Sequence, residues 1–455
     1  MSRRLGIVLL VGIALACAGK PGEKARGVLL VTIDTCRADR IGAYGNGAAC
    51  TPTLDRLARE GAQFADCFVQ VPTTLSSHAT ILTSLYPRTH GVPRNGFTLG
   101  EDVRTVTQVF AERGFRTAAF VGAFPLSRSF GLDRGFEVYD DDTESRPEGG
   151  ELERSADRVT ERAVEWLAGV GDEPFFLWVH YFDPHWPYAP PEPYGRVRRP
   201  PSTPYDPADL DDVMAIRFGR VPFGGDDLEA FFAAYDGEIA FVDRNLDRLL
   251  DAVPEKRRGD LLTVVTGDHG EGFGEHRYWF DHGDFLWESS IHVPLILHAP
   301  LLIGGGRLVE GPVRLLDLAP TILEAAGIGA PGHYEGESLM PALSGRLDSR
   351  IVISEASKPW NVEMRGEYRN AYKSKSVRTD RWKYMVTPYQ GKTELYDLEE
   401  DPREGRNLIH REQEEAERLS KTLLDWIHQK DPRVEAEDLT ADDEIREKLK
   451  SLGYF

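Results

Sequence analysis

Short, nearly uninterrupted apolar runs alternate with amphipathic segments along most of this chain. The runs Gly27–Ile33, Phe175–His180, Leu261–Thr266 and Val293–His298 have the length of one strand each. Such runs are typical of strands buried on both faces of a mostly parallel sheet. Apolar residues recur at helical spacing in the segments between them, most clearly in Leu228–Val253. The alternation predicts an α/β fold with a large, mostly parallel sheet flanked by helices.

The pattern changes from about residue 346. Three short strands are predicted at Ile351–Glu355, Ser376–Thr379 and Trp382–Val386, followed by an amphipathic helix over Glu412–His428. We therefore expect a main domain at residues 26–345 and a smaller subdomain, with an antiparallel sheet and a helical tail, at 346–455.

The first residues are typical of an export signal. Arg3 and Arg4 precede the run LGIVLLVGIALA, which is too short to span a bilayer. Residues 14–17, Ala-Leu-Ala-Cys, are similar to a bacterial lipobox. They predict a signal peptide at 1–16 and a lipid anchor on Cys17; a cleaved signal without lipid is the alternative. Either predicts an extracytoplasmic protein, in the periplasm or at the cell surface, that meets the membrane only through that anchor.

Charge and cysteine content narrow the function classes. The net charge of −20 repels phosphate backbones, so we expect no nucleic-acid partner. Cys36, Cys50 and Cys67 remain beyond the signal, and no Cys/His zinc spacing is present. Cys50 and Cys67 flank a predicted helix, and both a disulfide between them and free thiols are compatible with the sequence.

Acidic and histidine residues follow three of the apolar runs. Asp34 comes directly after the first, Asp183 and His185 follow the second, and Asp268 and His269 follow the third. Because ligands bind at the carboxyl edge of open α/β sheets, we expect these side chains to gather at one edge. Carboxylate and imidazole are metal ligands.

Residues 71–92 predict a loop running into a helix from Ser76, with Thr74 at its mouth. Free backbone N–H groups there favour anions. A threonine hydroxyl in this place is either a helix cap or a nucleophile.

Three motifs carry a resemblance to a known family. They are the segment TLSSH at 74–78 with LTSLYP at 82–87, the segment DTCRADR at 34–40, and GDHGE at 267–271. Together they resemble the sulfatases of the alkaline phosphatase superfamily. The family's nucleophilic Cys falls on Thr74, its Arg on His78, and a frequent second metal-binding Asp on Thr35. A Thr nucleophile segment is instead similar to the nucleotide pyrophosphatase/phosphodiesterase branch.

The resemblance implies an alkaline-phosphatase-like fold and one or two divalent metals. One metal would take Asp34, Asp268 and His269, with the Thr74 hydroxyl as open ligand. A second would take the side chains after the second strand together with a later histidine, namely Asp183, His185 and His282. These donors suit zinc or manganese better than calcium. The implied substrate contacts are Asn95, His78 and His185.

The expected reaction is attack by Thr74 on phosphorus, followed by hydrolysis of the phospho-enzyme. Family sulfatases use a formylglycine made from Cys or Ser, which Thr74 cannot become. The sequence therefore predicts a hydrolase of phosphate, phosphonate or sulfate esters, with phosphoesters favoured, acting on a small-molecule, glycan or lipid ester. The alternatives are a conventional sulfuric ester hydrolase, a transferase passing the phospho group to an alcohol, and an inactive binding lipoprotein.

The long, proline-rich segment at 187–224 shows no periodicity and predicts a lid or specificity element.

Overall fold

A computed structural model describes residues 23–143, 153–196, 202–344, 347, 350–362, 370–429 and 437–451. The predicted signal peptide and Cys17 lie outside the described residues. No helix in the described part combines the length and the apolar character needed to cross a bilayer.

The described strands form two sheets. They are β1 Gly27–Ile33, β2 Ala62–Phe68, β3 Arg116–Val121, β4 Val138–Asp140, β5 Phe175–Tyr181, β6 Leu261–Gly267, β7 His292–His298, β8 Arg307–Arg314, β9 Val352–Glu355, β10 Lys375–Arg378, β11 Trp382–Thr387 and β12 Lys392–Asp397. The larger sheet has the order β4-β3-β5-β1-β6-β7-β2-β8, and the smaller has the order β12-β11-β10-β9.

The α-helices connect or cover these strands. They are α1 Pro52–Glu60, α2 Thr74–Thr83, α3 Pro87–His90, α4 Val106–Glu112, α5 Ala156–Gly169, α6 Leu210–Arg217, α7 Asp226–Ala252, α8 Glu255–Arg258, α9 Glu288–Ile291, α10 Leu318–Ala325, α11 Gln413–His428 and α12 Asp443–Ser451.

Strand β1 lies at the centre of the large sheet and is parallel to both of its neighbours. Ile33, its last residue, is level with Tyr181 of β5 and Gly267 of β6. The residues that follow these strands therefore leave the sheet side by side. The predicted α/β fold with a central parallel sheet is confirmed.

Each face of the large sheet carries its own apolar core. Along β1, Val28 and Leu30 face the core that contains α2 and α10, whereas Leu29 and Val31 face the core that contains α1, α5 and α7. Successive side chains of a strand point to opposite faces. A strand buried on both faces is therefore apolar throughout, as the sequence pattern indicated.

The far side of the large sheet is mixed in direction. Strand β7 runs antiparallel to β6 and to β2, and β8 returns parallel to β2. The sequence pattern did not predict β2, since AQFADCF carries polar residues and only part of it is buried. Its place between two strands, rather than its own apolar content, makes it a strand.

The smaller sheet is antiparallel throughout, as predicted. Helix α11 packs on it through Ala416, Leu419, Leu423 and Trp426. The domain boundary expected between residues 345 and 346 stays a prediction, since the structure does not describe the boundary residues.

The cysteines that the structure describes are free thiols: Cys36 and Cys67 are buried, and Cys50 is exposed. Of the alternatives left open by the sequence, the structure therefore has free thiols at Cys50 and Cys67.

Candidate active site

Two aspartates meet at the carboxyl edge of the large sheet. Asp34 follows β1 and Asp268 follows β6, so the register of these strands places them side by side. His269 completes the group, with Nε2 3.6 Å from Asp34 Oδ1 and 3.7 Å from Asp268 Oδ2. All three side chains are fully buried. One ligand atom from each lies within 4.8 Å of the others, the spacing of a metal site.

The ring of His269 is oriented by a neighbouring carbonyl. Its Nδ1 lies 2.9 Å from the carbonyl oxygen of Gly270 and can only donate to it. That bond leaves Nε2 as the lone-pair nitrogen facing the two carboxylates. A second partner on the opposite nitrogen fixes the tautomer in this way in many metal sites.

Thr74 is the first residue of α2, two positions before the helix start that the sequence pattern predicted. Its Oγ1 lies 3.4 Å from His269 Nε2, beside the carboxyl group of Asp34. The Oγ of Ser77, one turn further on, donates to the carbonyl oxygen of Asp268 at 2.7 Å. Helix α2 is thus tied directly to the end of β6.

Asn95 caps this helix from outside it. Its Oδ1 accepts a 2.9 Å hydrogen bond from the backbone N–H of Leu75. Its Nδ2 is buried and has no hydrogen-bond partner among the described residues. The amide therefore positions the helix mouth with one atom and offers a donor with the other.

A second triad shares Asp268. The group consists of His78, His180 and Asp268, all fully buried. His78 Nδ1 lies 3.6 Å from Asp268 Oδ2, and His180 Nε2 lies 3.5 Å from Asp34 Oδ2. The edge therefore carries two overlapping groups rather than one.

His78 was expected to contact substrate. In the structure, Nδ1 donates to the carbonyl oxygen of Thr74 at 2.7 Å, and Nε2 lies 2.9 Å from Thr32 Oγ1. Both ring nitrogens are engaged with the protein, so His78, which itself belongs to α2, links the first turn of that helix to β1. Contact with substrate through this ring stays a prediction.

His180 was not singled out from the sequence, because it lies inside an apolar strand. The register of β1 and β5 would have revealed it. His180 is level with Thr32 on β1, and Thr32 lies two positions before Asp34, on the same face of the sheet.

The residues expected to hold a second metal are more dispersed. Asp183 Oδ2 accepts from the backbone N–H of Ala156, at the start of α5, at 2.9 Å. His185 Nδ1 lies 2.7 Å from the carbonyl oxygen of Trp186, and His282 Nδ1 lies 3.3 Å from Glu271 Oε1. Among the described residues, no group with metal-ligand spacing includes Asp183, His185 or His282.

Two successive ring contacts, one tilted and one edge-to-face, nevertheless join His185 and His282 to His269, the histidine beside Thr74. The ring centroids of His269 and His282 are 4.3 Å apart, and those of His282 and His185 are 5.5 Å apart. Both distances are within the range of ring contacts. His185 and His282 therefore lie in the site, at increasing distance from Thr74.

The electrostatics of the edge favour a bound cation. Burial raises the pKa of Asp34, with a further contribution from Glu271, and burial together with the charge of Asp34 raises the pKa of Asp268. Burial lowers the pKa of His269, which therefore stays neutral near pH 7 and keeps its lone pair. Within the part of the chain that the structure describes, both oxygens of Asp34 and Oδ2 of Asp268 are buried and have no hydrogen-bond partner. These donors fit a divalent metal, because adjacent buried carboxylates need an opposite charge.

One ion-pair group at the rim was not anticipated from the sequence. The carboxylate of Asp281 accepts a 3.0 Å hydrogen bond from Lys358 Nζ and another of 3.0 Å from Arg217 Nε. Lys358 comes from the loop after β9, and Arg217 ends α6 in the long proline-rich segment. The group joins the main domain, the smaller sheet and that segment next to His282.

Comparisons with known proteins agree with this architecture. The family model described as Sulfatase matches residues 26–328, and a model of the C-terminal part of N-sulphoglucosamine sulphohydrolase matches residues 274–431. The chain therefore belongs to the sulfatase family, whose members are metal-dependent ester hydrolases.

Its relatives include both sulfatases and phosphonate hydrolases. An arylsulfatase of Clostridium perfringens is 27% identical over 87% of this chain and 93% of its own length. A Δ4,5-hexuronate-2-O-sulfatase of Bacteroides thetaiotaomicron is 26% identical over 88% of this chain and 87% of its own. The solved phosphonate monoester hydrolase of Agrobacterium radiobacter is 26% identical, covers 88% of this chain and 95% of its own, and superposes with a TM-score of 0.69.

Proposed function

We propose that this sulfatase-family hydrolase cleaves phosphate or phosphonate esters by nucleophilic attack of the Thr74 hydroxyl. The observation that carries the proposal is the position of Thr74. Its Oγ1 lies at the mouth of α2, 3.4 Å from His269 Nε2 and beside Asp34. The N-cap position of α2 belongs to Thr73, and Thr74 is the first residue inside the helix, so the Thr74 hydroxyl does not stand in the usual place of a capping side chain.

Activation of the hydroxyl is the first requirement, since a free threonine is too weak an acid to react near pH 7. Asp34, Asp268 and His269 are the residues that would hold a metal, with zinc or manganese favoured by their donor types. A divalent metal bound there lowers the pKa of a coordinated hydroxyl and stabilises charge on the ester oxygens.

The protein groups around Thr74 would orient the ester. The free N–H groups and dipole at the start of α2 favour an anion at that point. Asn95 Nδ2 supplies a further buried donor close to the same helix turn. Attack by Thr74 Oγ1 forms the new bond to phosphorus as the bond to the leaving oxygen breaks. Water then releases the product from the threonine.

Phosphorus is favoured over sulfur by the identity of residue 74. Sulfatases release sulfate through the second hydroxyl of a formylglycine hydrate, and a threonine has no such group. The similarity to phosphonate monoester hydrolases adds support, since those solved relatives share the fold. The similarity to arylsulfatases and glycan sulfatases supports the second candidate, a sulfuric ester hydrolase.

We further propose that the enzyme works outside the cytoplasm, attached through a lipid on Cys17, on a small-molecule, glycan or lipid ester. Transfer of the phospho group to an alcohol would use the same residues. Product analysis in the presence of an added alcohol separates these outcomes, because a transferase makes a new ester and a hydrolase releases the free acid.

The test is an ester panel with three forms of the enzyme. Matched aryl phosphonate monoester, phosphodiester and sulfate substrates are compared on wild type, Thr74→Val and Thr74→Ser, each loaded with zinc, manganese or calcium. Valine keeps the shape of threonine without the hydroxyl, and serine keeps the hydroxyl. We expect a higher kcat/KM for the phosphorus esters, a loss of at least about 10³-fold in Thr74→Val, and substantial activity in Thr74→Ser.

Three results would contradict the proposal. Faster turnover of the sulfate ester would favour the second candidate, provided that it also depends on Thr74. Full activity of Thr74→Val on every ester would exclude Thr74 as nucleophile. A protein that binds no metal and hydrolyses none of the esters would instead support the inactive binding lipoprotein.

A further inference from the structure

The loop after β9, residues 356–359, extends from the smaller sheet to the start of α2. Ser357 lies in this loop and is fully buried. Its Oγ forms a hydrogen bond with Oγ1 of Thr73, the residue directly before Thr74. Because Thr73 Oγ1 donates its own proton to the carbonyl oxygen of Pro72, at 2.8 Å, Ser357 is the donor in the first bond. A side chain next to the smaller sheet therefore holds the neighbour of Thr74.

The side chain of Thr73 is not used as a helix cap. Thr73 is the N-cap residue of α2, but its hydroxyl makes no capping bond to that helix. N-cap hydroxyls usually accept a hydrogen bond from an N–H group in the first turn. In this protein the Thr73 hydroxyl is bonded to Pro72 and Ser357 instead. The position of the helix start therefore depends on a contact with the loop after β9.

The same loop also holds the segment that carries His282. The backbone N–H groups of Ser357 and Lys358 both donate to the carbonyl oxygen of Gly283 at 2.9 Å. Gly283 has a φ of +97°, and a Cβ on it would lie 2.8 Å from Ser357 Oγ, so the two segments are in close contact. Lys358 Nζ donates to Asp281 Oδ1, which also accepts from the backbone N–H of His282. The loop is therefore bonded both to the start of α2 and to the His282 segment.

Ser357 is fixed in turn by residues of the smaller sheet. Lys373 is fully buried, and its Nζ donates to the carbonyl oxygen of Ser357. The backbone N–H of Ala356 donates to the carbonyl oxygen of Ser374, directly before β10, at 2.8 Å. The N–H, the carbonyl and the hydroxyl of Ser357 are thus bonded to three different segments. A support of this kind keeps the geometry of a reacting group constant.

We propose that Ser357 is a positioning residue for the reaction: through Thr73, its hydroxyl sets the place of the Thr74 hydroxyl relative to the His282 segment. The inference rests on the proposed function, since it concerns the attack by Thr74. A reacting group displaced by about 1 Å can lose about 100-fold in rate. Because Ser357 acts on the geometry of the bound complex, its removal should lower kcat while KM changes little.

Ser357→Ala tests the inference, because it removes the hydroxyl and keeps the backbone bonds to Gly283. On the ester that the wild type turns over fastest, we expect kcat to fall by about 10- to 100-fold. KM should stay within about twofold, and the content of bound metal should not change.

Ser354→Ala is the matched control. Ser354 is a buried serine of β9, and its Oγ donates to the carbonyl oxygen of Val69, the residue after β2, at 2.6 Å. The variant therefore also removes a buried hydroxyl that joins the smaller sheet to the larger one. Its thermal unfolding should shift as much as that of Ser357→Ala, whereas its kcat should stay at the wild-type value.

A double-mutant cycle tests whether Ser357 acts through Thr73. The kcat values of Thr73→Val, Ser357→Ala and the double variant are compared. We expect the double variant to be within about twofold of the slower single variant, because each substitution breaks the same link. Thr73→Ser keeps the hydroxyl and should keep most of the activity. Circular dichroism checks the fold of each variant, and Thr73→Val tests the link if Ser357→Ala does not fold.

Four results would overturn the inference: wild-type kcat in Ser357→Ala, loss of bound metal in Ser357→Ala, an equal loss of kcat in Ser354→Ala, or losses that multiply in the double variant. Failure of the proposed function is distinguishable through Thr74→Val. Full activity of that variant removes both proposals, whereas an inactive Thr74→Val beside a fully active Ser357→Ala removes the inference alone. If only sulfate esters react and depend on Thr74, the preference for phosphorus fails, and the same variants are measured on the sulfate ester.

Discussion

Two groups of acidic and histidine side chains lie at the same edge of the sheet, and they are held in different ways. Asp34 and Asp268 immediately follow two neighbouring parallel strands, whose register brings them together. Asp183, His185 and His282 lie on loops, and each is bonded to a different local partner. Strand register therefore fixes the relative position of the first group, whereas loop conformation decides the second.

The two groups also differ in the chemistry that they can perform. The first group concentrates two buried carboxylates and a neutral imidazole within one metal-sized space beside Thr74. In the second, the rings of His282 and His185 continue the series of ring contacts that begins at His269. We interpret the first as the reacting centre and the second as the region that contacts the substrate.

The largest expected effect is that of Asp268→Asn, which changes the first group. Asp268 belongs to both described triads, while its Oδ1 accepts from the N–H groups of Thr35 and His269. Asparagine keeps that acceptor but removes the charge, so we expect kcat to fall by at least about 10³-fold and bound metal to be lost, with the fold retained. Steady-state kinetics, elemental analysis and circular dichroism check this. Normal metal content in the variant would contradict it.

A pair of histidine variants compares the two regions directly. His180→Ala removes a ring 3.5 Å from Asp34 Oδ2, and His185→Ala removes a ring whose centroid lies 5.5 Å from that of His282. We expect His180→Ala to lower metal affinity and kcat by about 10- to 100-fold, and His185→Ala mainly to raise KM with metal content unchanged. Metal loss in His185→Ala alone would reverse the assignment and support the predicted second metal.

The gathering of Asp34, Asp268 and His269 at one edge of the sheet could be predicted from sequence, because each follows a continuous apolar run and neighbouring parallel strands end together. Their role as metal ligands stays a prediction. His180 was missed because its strand is apolar, and only pairing with Thr32 shows that it faces Asp34.

The remaining parts of the site depend on contacts between residues distant in sequence. Arg217 and Lys358 meet on one carboxylate, 64 and 77 residues away from it along the chain. No local pattern in the sequence carries that information. The same is true of β2, which is a strand because β7 and β8 pair with it.

His90, in the segment 71–92, leads us to expect a pH-dependent stability. His90 is fully buried, and burial lowers its pKa to about 3. The unfolded chain binds this proton below about pH 6.5, whereas the folded protein does not. The contribution to stability is therefore complete above that pH and falls by up to about 1.4 kcal/mol per unit as the pH drops toward 3. Urea unfolding at pH 7 and pH 5 should show a smaller loss in His90→Asn than in wild type; equal losses would contradict this.

The smallest expected effect concerns Asp183. Its Oδ2 accepts from the first N–H of α5, so Asp183→Ala removes a helix cap. We expect a loss of about 1 kcal/mol in the free energy of unfolding, with metal content unchanged. Thermal unfolding measures the stability, and a lower metal content would show that Asp183 is a ligand after all.

The most direct test of the central claim is to trap the covalent intermediate. Wild-type enzyme is mixed with a fast aryl phosphonate monoester, quenched in acid within one turnover, digested and mapped by mass spectrometry, with Thr74→Val as control. The account predicts a phosphonylated peptide over residues 74–83 with the added group on Thr74, and none in the variant. An adduct on another residue, or steady turnover with an unmodified Thr74 at every quench time, would contradict it.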